Sequence, residues 1–397
     1  MIFTKLKFDF KIVVFLSVII LFSACKDAYD FSTNKLSTDT EINPKIAVPI
    51  LDASITLEEV LPDDEELDRY LIIDDDNFMS ISFETDLAEY NIDDFMSGAA
   101  LSGPSLPEIN YEIDPQVLVL GLNNALGEGN IHLANPSIKL LIKNYWDIPA
   151  RFQFTDFYYY EEENSAALPL TGSLLTEWIE IDKPVAPAEF AIEEIVIDTN
   201  TTNIDEVLSA LPHHLSFGAK FETIPGSPYS ITAGTTNEVS VEVSIPLEFS
   251  LTNIQLTDTM DFNLGEDLDS ETVKSIQINL LTDNGFPLGI DAQIYFVDEY
   301  YVVLDSLFDN SLAINPANVG TNGKVGTDDH VNDENIIKIN SSKIENLLKA
   351  KFLIPKILFN TTNAANNQDV KLYSDYGIGL KMGALVELHF TTDQASN

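Results

Sequence analysis

From about residue 70 to residue 390 the sequence is a succession of short β-branched or aromatic runs, each bounded by Gly, Pro, Asn or Asp. Among them are "IKLLIKN" (138–144), "ARFQFTDFYYY" (150–160), "EVSVEVSIPLEFSL" (238–251), "SIQINLLTD" (275–283) and "ALVELHF" (384–390). No apolar pattern of helical period lasts beyond about three turns. Segments of this length and composition cannot bury themselves singly. They have to pair edge to edge and then stack face to face, which is the construction of antiparallel sandwiches.

Helical signals are few and short. "TLEEVL" opens with Thr56 and Glu59, and "SSKIENLLKAK" places Ser342 three residues before Glu345, so both read as capping boxes. "NIDEVLSAL" supplies a third helix around Asp205 to Leu211. In "RYLIIDDDNFMSISFE" the acidic turn separates two β-rich pieces, and Met79, Ile81 and Phe83 alternate with polar residues, a hairpin pattern. The expected fold is mainly β: two consecutive antiparallel β-sandwich domains of immunoglobulin or fibronectin type with a few short helices.

An internal similarity supports two units. "IKLLIKNYWDIPARFQF" (138–154) and "SIQINLLTDNGFPLGIDAQIYF" (275–296) both run strand, Asn-containing turn, apolar residue and Pro, strand. The expected division is a signal segment at 1–24, a tether at 25–44, an N-terminal β-rich domain at 45–260 with its sandwich mainly at 110–260, and a C-terminal sandwich at 261–397. The acid-rich "TDTMDFNLGEDLD" (257–269) marks the boundary.

The start of the chain carries Lys5, Lys7 and Lys11 and then the apolar run Ile12–Phe22. Eleven residues give about 16 Å of helix, well short of a hydrocarbon core of about 30 Å, so the run reads as a secretory signal and not as a span. Ser23, Ala24 and Cys25 follow, and Cys25 is the sole cysteine. This resembles the lipobox of bacterial lipoproteins, with Phe22 where that family usually has Leu. The resemblance implies cleavage before Cys25, acylation of its sulfur and new amino terminus, and a membrane partner through that lipid. Lys26-Asp27 resembles in part the lysine-then-acid signal that sends lipoproteins to the cell surface in the Bacteroidota. An outer-membrane location follows, with the outer face favoured over the periplasmic one. Taken whole, the chain resembles β-rich surface lipoproteins of that phylum.

The formal net charge of the chain is −43. Such a field repels phosphate backbones, so no nucleic-acid partner is expected. With 45% hydrophobic residues the chain is still too apolar for a disordered acidic tail. Residues 321–397 are nearly balanced, with 8 bases and 9 acids, which reads as buried strands and a helix whose lysines offset neighbouring acids.

No G-x-S-x-G elbow, metal-binding histidine spacing or phosphate loop occurs, so no catalytic residue, metal or cofactor is assigned. His213 and His214 are adjacent, whereas His132, His330 and His389 stand alone. Asp74–Asn77 and Thr327–Asn335 are acidic turns lacking the glycine and distal glutamate of a calcium loop. Consecutive tyrosines beside acids, in "FTDFYYYEEE" and "DEYYVVLD", offer Tyr158, Tyr160 and Tyr300 as a ligand surface able to stack on sugars. On a strand only alternate tyrosines share a face.

"IHLANPSIKLLIKNYWDIPARFQF" resembles the start of a late-embryogenesis-abundant type 2 (WHy-like) domain through Asn135, Pro136, Asn144, Ile148 and Pro149. That resemblance implies a fibronectin-like sandwich without enzymatic activity. The role expected is a lipid-anchored interaction or structural module with a protein or glycan partner; the alternative is a glycan-binding or glycan-processing surface lipoprotein.

Overall fold

The computed structural model describes residues 41–60, 70–96, 102–120, 128–185, 189–226, 228–262 and 272–391. Cys25 and the expected signal segment lie outside these. In chain order, the first elements are β1 (Lys45–Thr56), α1 (Leu57–Val60), β2 (Leu71–Ile73), β3 (Met79–Asn91), α2 (Ile92–Met96), β4 (Asn110–Val119) and β5 (Glu128–Leu133). Next come β6 (Ser137–Asn144), β7 (Ala150–Tyr160), β8 (Ile179–Ile181), β9 (Ala191–Ile197), α3 (Ile204–Ser209), β10 (His214–Thr223), β11 (Thr236–Pro246) and β12 (Glu248–Thr257). The last are β13 (Val273–Asn284), β14 (Leu288–Val297), β15 (Val303–Ser306), β16 (Leu312–Ile314), β17 (Val331–Asn340), α4 (Ser341–Lys349), β18 (Phe352–Thr361) and β19 (Gly377–Leu388).

The fold is mainly β, as expected. In the first sandwich one sheet runs β9-β6-β11-β3-β2, and it faces β7-β10-β4 with β8 also on β7. In the second, β17-β13-β19-β1 faces a sheet ordered β15-β14-β18-β12, with β16 on β14 and β5 on β12. The two follow one plan. The run β6-β7-β8-β9-α3-β10-β11 corresponds to β13-β14-β16-β17-α4-β18-β19, with matching partners throughout. Strand β3 flanks β11 as β1 flanks β19, and β4 flanks β10 as β12 flanks β18. Both flanking strands even carry a bulge, at Leu87 and at Ile50.

This correspondence redraws the expected boundaries. Strand β1, at residues 45–56, pairs with β19 near the end of the chain, and β12 ends at Thr257 yet pairs with β18. The first sandwich is therefore inserted after β1 and before β12 of the second, β5 from within the insertion pairs with β12, and hydrogen bonding crosses the division drawn at residue 260. It also takes in β3, so it begins well before residue 110. Glu41–Ile42, in the expected tether, forms a short ladder with Phe390–Thr391.

Each sandwich turns its corner on a buried asparagine. Asn144 ends β6 and Asn284 ends β13, at 2% and 1% exposure. The Oδ1 of Asn144 accepts the Trp146 N–H at 3.0 Å, and the Oδ1 of Asn284 accepts the Phe286 N–H at 2.9 Å. The Nδ2 of Asn144 donates to the Asp182 carbonyl at 2.8 Å, and that of Asn284 to the carbonyls of Leu288 and Asn315. An asparagine side chain can copy a backbone turn while satisfying carbonyls that the strand leaves behind, which is why it fits where the chain leaves one sheet for the other. The internal similarity aligns on these asparagines, so the prolines fall at different offsets.

The cores differ. Strand β11 alternates buried and half-buried residues along its whole length, with Val239, Val241, Val243 and Ile245 inward. They join Phe152, Phe154, Phe157 and Phe217 in one large cluster. Each such side chain contributes about 1.5–3 kcal/mol on burial. In β19, the counterpart of β11, none of Ile378, Leu380, Met382, Ala384 and Val386 is fully buried. The second sandwich instead holds two small clusters, around Ile337, Ile339 and Ile344 and around Phe262, Phe296 and Ala350.

One half of the capping box at Thr56 forms, with the Thr56 N–H donating to the Glu59 carboxylate at 2.9 Å. Helix α4 is capped differently from expectation: Asn340, the last residue of β17, accepts the Lys343 N–H at 2.9 Å. The helix begins where the strand stops, which places Ser341 and Ser342 inside its first turn.

Replacing Asn144 by Ala strips the Trp146 N–H, the Asp182 carbonyl and the Asn237 side chain of their partner. Urea denaturation is expected to show a loss of about 2–4 kcal/mol, against under about 0.5 kcal/mol for Asn200→Ala in an exposed turn. Equal effects would refute the structural role given to the corner.

Candidate functional site

Tyr158 and Tyr160 lie two apart near the end of β7 and share its outward face, while Tyr159 between them packs partly against the core. Strand β10 runs alongside, with Ser216 opposite Tyr158 and His214 opposite Tyr160. The Tyr160 and His214 rings stack at 4.3 Å and 11°. Nδ1 of His214 sits 3.0 Å from Nδ1 of His213, so one imidazole donates and the other accepts. Burial, and next the neighbouring His213, hold the pKa of His214 below its ordinary value. Further along the same face, Arg151 lies 4.5 Å from the Trp178 ring and pairs with Glu222 at 2.9 Å. Trp178 has no partner in the sequence pattern: it sits in a turn-rich stretch, and only the register of β8 on β7 brings it over the sheet.

Tyr300 is on the other sandwich, at the tip of the β14–β15 hairpin, apart from Tyr158 and Tyr160. Asp298 builds this tip. Its Oδ1 accepts the N–H groups of Tyr300 and Val302, both at 2.9 Å, and its backbone closes the turn onto Val302 and Tyr301. Tyr301 adopts φ 60° and lies flat on Phe352 at 4.8 Å. The result is a fixed apex on which Tyr300 is 77% exposed, with Tyr301, Val302 and Val303 also exposed. Periodicity alone could have signalled it: "YYVV" breaks the in-out alternation of a half-buried strand.

Inside the first sandwich, between β3 and β4, there is an apolar cavity of about 70 Å³. Leu87, Tyr90, Ile113, Phe154 and Phe217 line it, with Gln116 and Asn237 as its polar members. The Asn237 amide is already spent on the corner, donating to Asn144.

The acidic turns use their carboxylates locally. Asp74 accepts the N–H groups of Asp76 and Phe78. Asp329 accepts that of Gly326, and Asp333 holds both the backbone and the side chain of Asn315. The isolated histidines are likewise engaged: His132 with Asp369 at 3.0 Å, His330 with Asp283 at 3.2 Å and His389 with Asn43 at 2.8 Å. Among the described residues, no group of three or more His, Cys, Asp or Glu side chains is placed to hold a metal ion. No helix among them is long and apolar enough to cross a membrane.

No protein family matches the sequence, and no curated protein matches it. Solved structures with some likeness include a protein of Parabacteroides distasonis described as secreted, at 13% identity, 86% coverage of this chain, 99% of the other and a TM-score of 0.46. A tandem CBM22 domain of Paenibacillus barcinonensis Xyn10C follows at 7% identity, 76% and 97% coverage and a TM-score of 0.17. A structure of infectious bursal disease virus, Gx strain, shows 9% identity, 94% and 77% coverage and a TM-score of 0.21. At these TM-scores none of the three fixes a shared fold.

His214 makes stability depend on pH. A folded-state pKa below the unfolded value means that the unfolded chain takes up more protons as pH drops through about 6.5, so this contribution, full above that pH, is lost below it. His214→Phe keeps a ring against Tyr160 and removes the titration. Its melting temperature relative to the parent is expected to rise steadily from about pH 7.5 to about pH 5.5. A constant difference would contradict the assignment.

Proposed function

We propose that this chain is a lipid-anchored, non-enzymatic interaction or structural module of the outer membrane, displayed on its outer face. The observation that carries the reading is the position of Cys25, the only cysteine, directly behind Ser23-Ala24 and the apolar run Ile12–Phe22. Two or three acyl chains, at about 0.8 kcal/mol per buried CH₂, hold a protein on a bilayer essentially permanently. The non-enzymatic part draws support from how polar side chains are used: the carboxylates of Asp74 and Asp329 in the two acidic turns and the buried asparagines are committed to backbone groups. A glycan-binding role is the second reading, favoured by the shared outward face of Tyr158, Tyr160 and Trp178, where aromatic rings lie beside carboxylates.

Mass spectrometry of the mature protein from its native membrane is expected to find an acylated amino terminus at Cys25, and protease added to intact cells is expected to cut the chain. Cys25→Ser should move the protein from the membrane fraction to the soluble one. A chain that still begins at Met1, or an unmodified Cys25, would refute the anchor. A glycan array then separates the two readings, since binding that is lost in Trp178→Ala supports the second.

A further inference from the structure

We propose that the cavity inside the first sandwich is a binding site for one small neutral alcohol, its alkyl part among aromatic rings and its hydroxyl on Gln116. The proposal does not depend on the lipid anchor. The cavity lies at an edge that the fold leaves thinly closed. Among the described residues, β4 pairs only with β10, and β2 covers β3 only at Met79–Ile81, so β4 and the far half of β3 are free edges. Leu87 and Tyr90 on one edge and Ile113 and Gln116 on the other line the cavity and are half-buried, which makes this edge its mouth. The space is built into the strands. Bulges fall at Leu87 on β3, at Asp114–Pro115 on β4 and at Thr155 on β7, the last two on either side of Gly218 in β10. A bulge bends its strand and interrupts the ladder. Each of the three adjoins the lining, through Leu87 itself, through Ile113 and Gln116, and through Phe154. The cavity therefore follows from backbone geometry and not from one undersized side chain.

The lining sets the chemistry of the occupant. The rings of Trp146, Phe152, Phe154, Phe217 and Phe221 contribute to its wall. The volume of about 70 Å³ is about half that of an apolar cavity of about 150 Å³ that takes up benzene, which leaves room for about three or four carbon atoms. A water molecule needs two to four polar partners to stay in such a space. The amide of Asn237 is spent on Asn144 and on the Tyr145 N–H. Gln116 remains: its Nε2 donates to the Asp114 carbonyl at 2.8 Å, and among the described residues no group donates to its Oε1. That acceptor, in an otherwise apolar chamber, suits a ligand with a single donor, which a hydroxyl supplies. Charge narrows the class further. Asp86, Glu89, Glu112 and Asp114 are exposed along the two edges, and neither β3 nor β4 carries a lysine or arginine. Lys220 on the adjoining β10 is held by Glu222 at 2.8 Å. A carboxylate is repelled at this mouth, and an ammonium has to shed its hydration to enter the apolar space. A neutral alcohol meets neither cost.

The test uses the full chain carrying Trp178→Phe, which leaves Trp146 in the cavity wall as the only tryptophan. Isobutanol is expected to change Trp146 emission along a saturable curve, and isobutyrate at the same concentrations to leave it unchanged. Gln116→Leu should weaken isobutanol binding about fivefold, the loss of one neutral hydrogen bond, while xenon uptake read by xenon NMR persists. Ala219→Leu, whose longer side chain fills the cavity, should abolish both. Isobutyrate binding as strong as that of isobutanol overturns the neutral class. Xenon uptake without saturable isobutanol binding identifies a packing void only and overturns the site. Isobutanol binding that survives in a folded Ala219→Leu variant lies elsewhere and also overturns it. Where Ala219→Leu does not fold, Gln116→Leu decides alone: an unchanged isobutanol curve removes the hydroxyl's partner and overturns the proposal.

Discussion

Both sandwiches depend on one interaction, the buried asparagine that ends a central strand and starts its return in the opposite sheet. An unpaired polar group at that depth would cost more than an ordinary hydrogen bond returns. Asn144 and Asn284 therefore hold position only because their amide groups are engaged on both sides. In the first sandwich the bond extends to a second asparagine, Asn237 on β11, whose Oδ1 accepts the Tyr145 N–H at 2.8 Å. Trp146 is then set edge-on to Phe221 with its indole N–H on the Thr235 carbonyl. The corner thus fixes sheet spacing, aromatic packing and register together.

Nesting one sandwich inside the other has a mechanical consequence, since the chain passes between the units at several points. Where β11 passes into β12, the Leu247 N–H donates to the Met79 carbonyl, the Met79 N–H to Leu372, and the Leu372 N–H back to Leu247. Around this ring of backbone bonds sit Phe78 on Tyr373, Lys324 over the Tyr373 ring at 4.0 Å, and Tyr376, whose hydroxyl accepts the Val325 N–H at 2.7 Å. Burial pushes the Tyr376 phenol up to about 12, so it stays neutral over the range in which the fold is used. A flexible linker between units would carry none of this; the junction is a small core of its own.

Element type was legible in the sequence because alternation and turn residues are local signals. The hairpin at Asp74–Asn77 and the capping box at Thr56 needed nothing beyond their own segments. Sheet membership was not legible, because a strand carries no local mark of its partner: β1 looks like the first strand of the unit that follows it and belongs to one completed more than 300 residues later. Even the repeat is blurred in the sequence, because Pro149 and Pro287 fall at different offsets from Asn144 and Asn284, which carry the shared geometry. Of the proposed ligand surface, Tyr158 and Tyr160 could be placed on one face by counting in twos. Trp178 could not, since it reaches that face only through the pairing of β8.

The common plan also explains why the two units present such different surfaces. After β7 the chain spends residues 161–178 before β8, and it folds back: Leu168–Pro169 pairs with Tyr158 and Tyr159, and Trp178 lies against Arg151. The equivalent segment, between β14 and β16, is residues 298–311, and there β15 pairs along β14 as Leu168–Pro169 pairs along β7. The hairpin tips differ: Asp298–Val302 closes on the Asp298 carboxylate and leaves Tyr300, Tyr301 and Val302 exposed, whereas the first unit's tip begins with Glu161, Glu162 and Glu163. The two units are one construction whose shared hairpin ends in an apolar apex in one and an acidic one in the other.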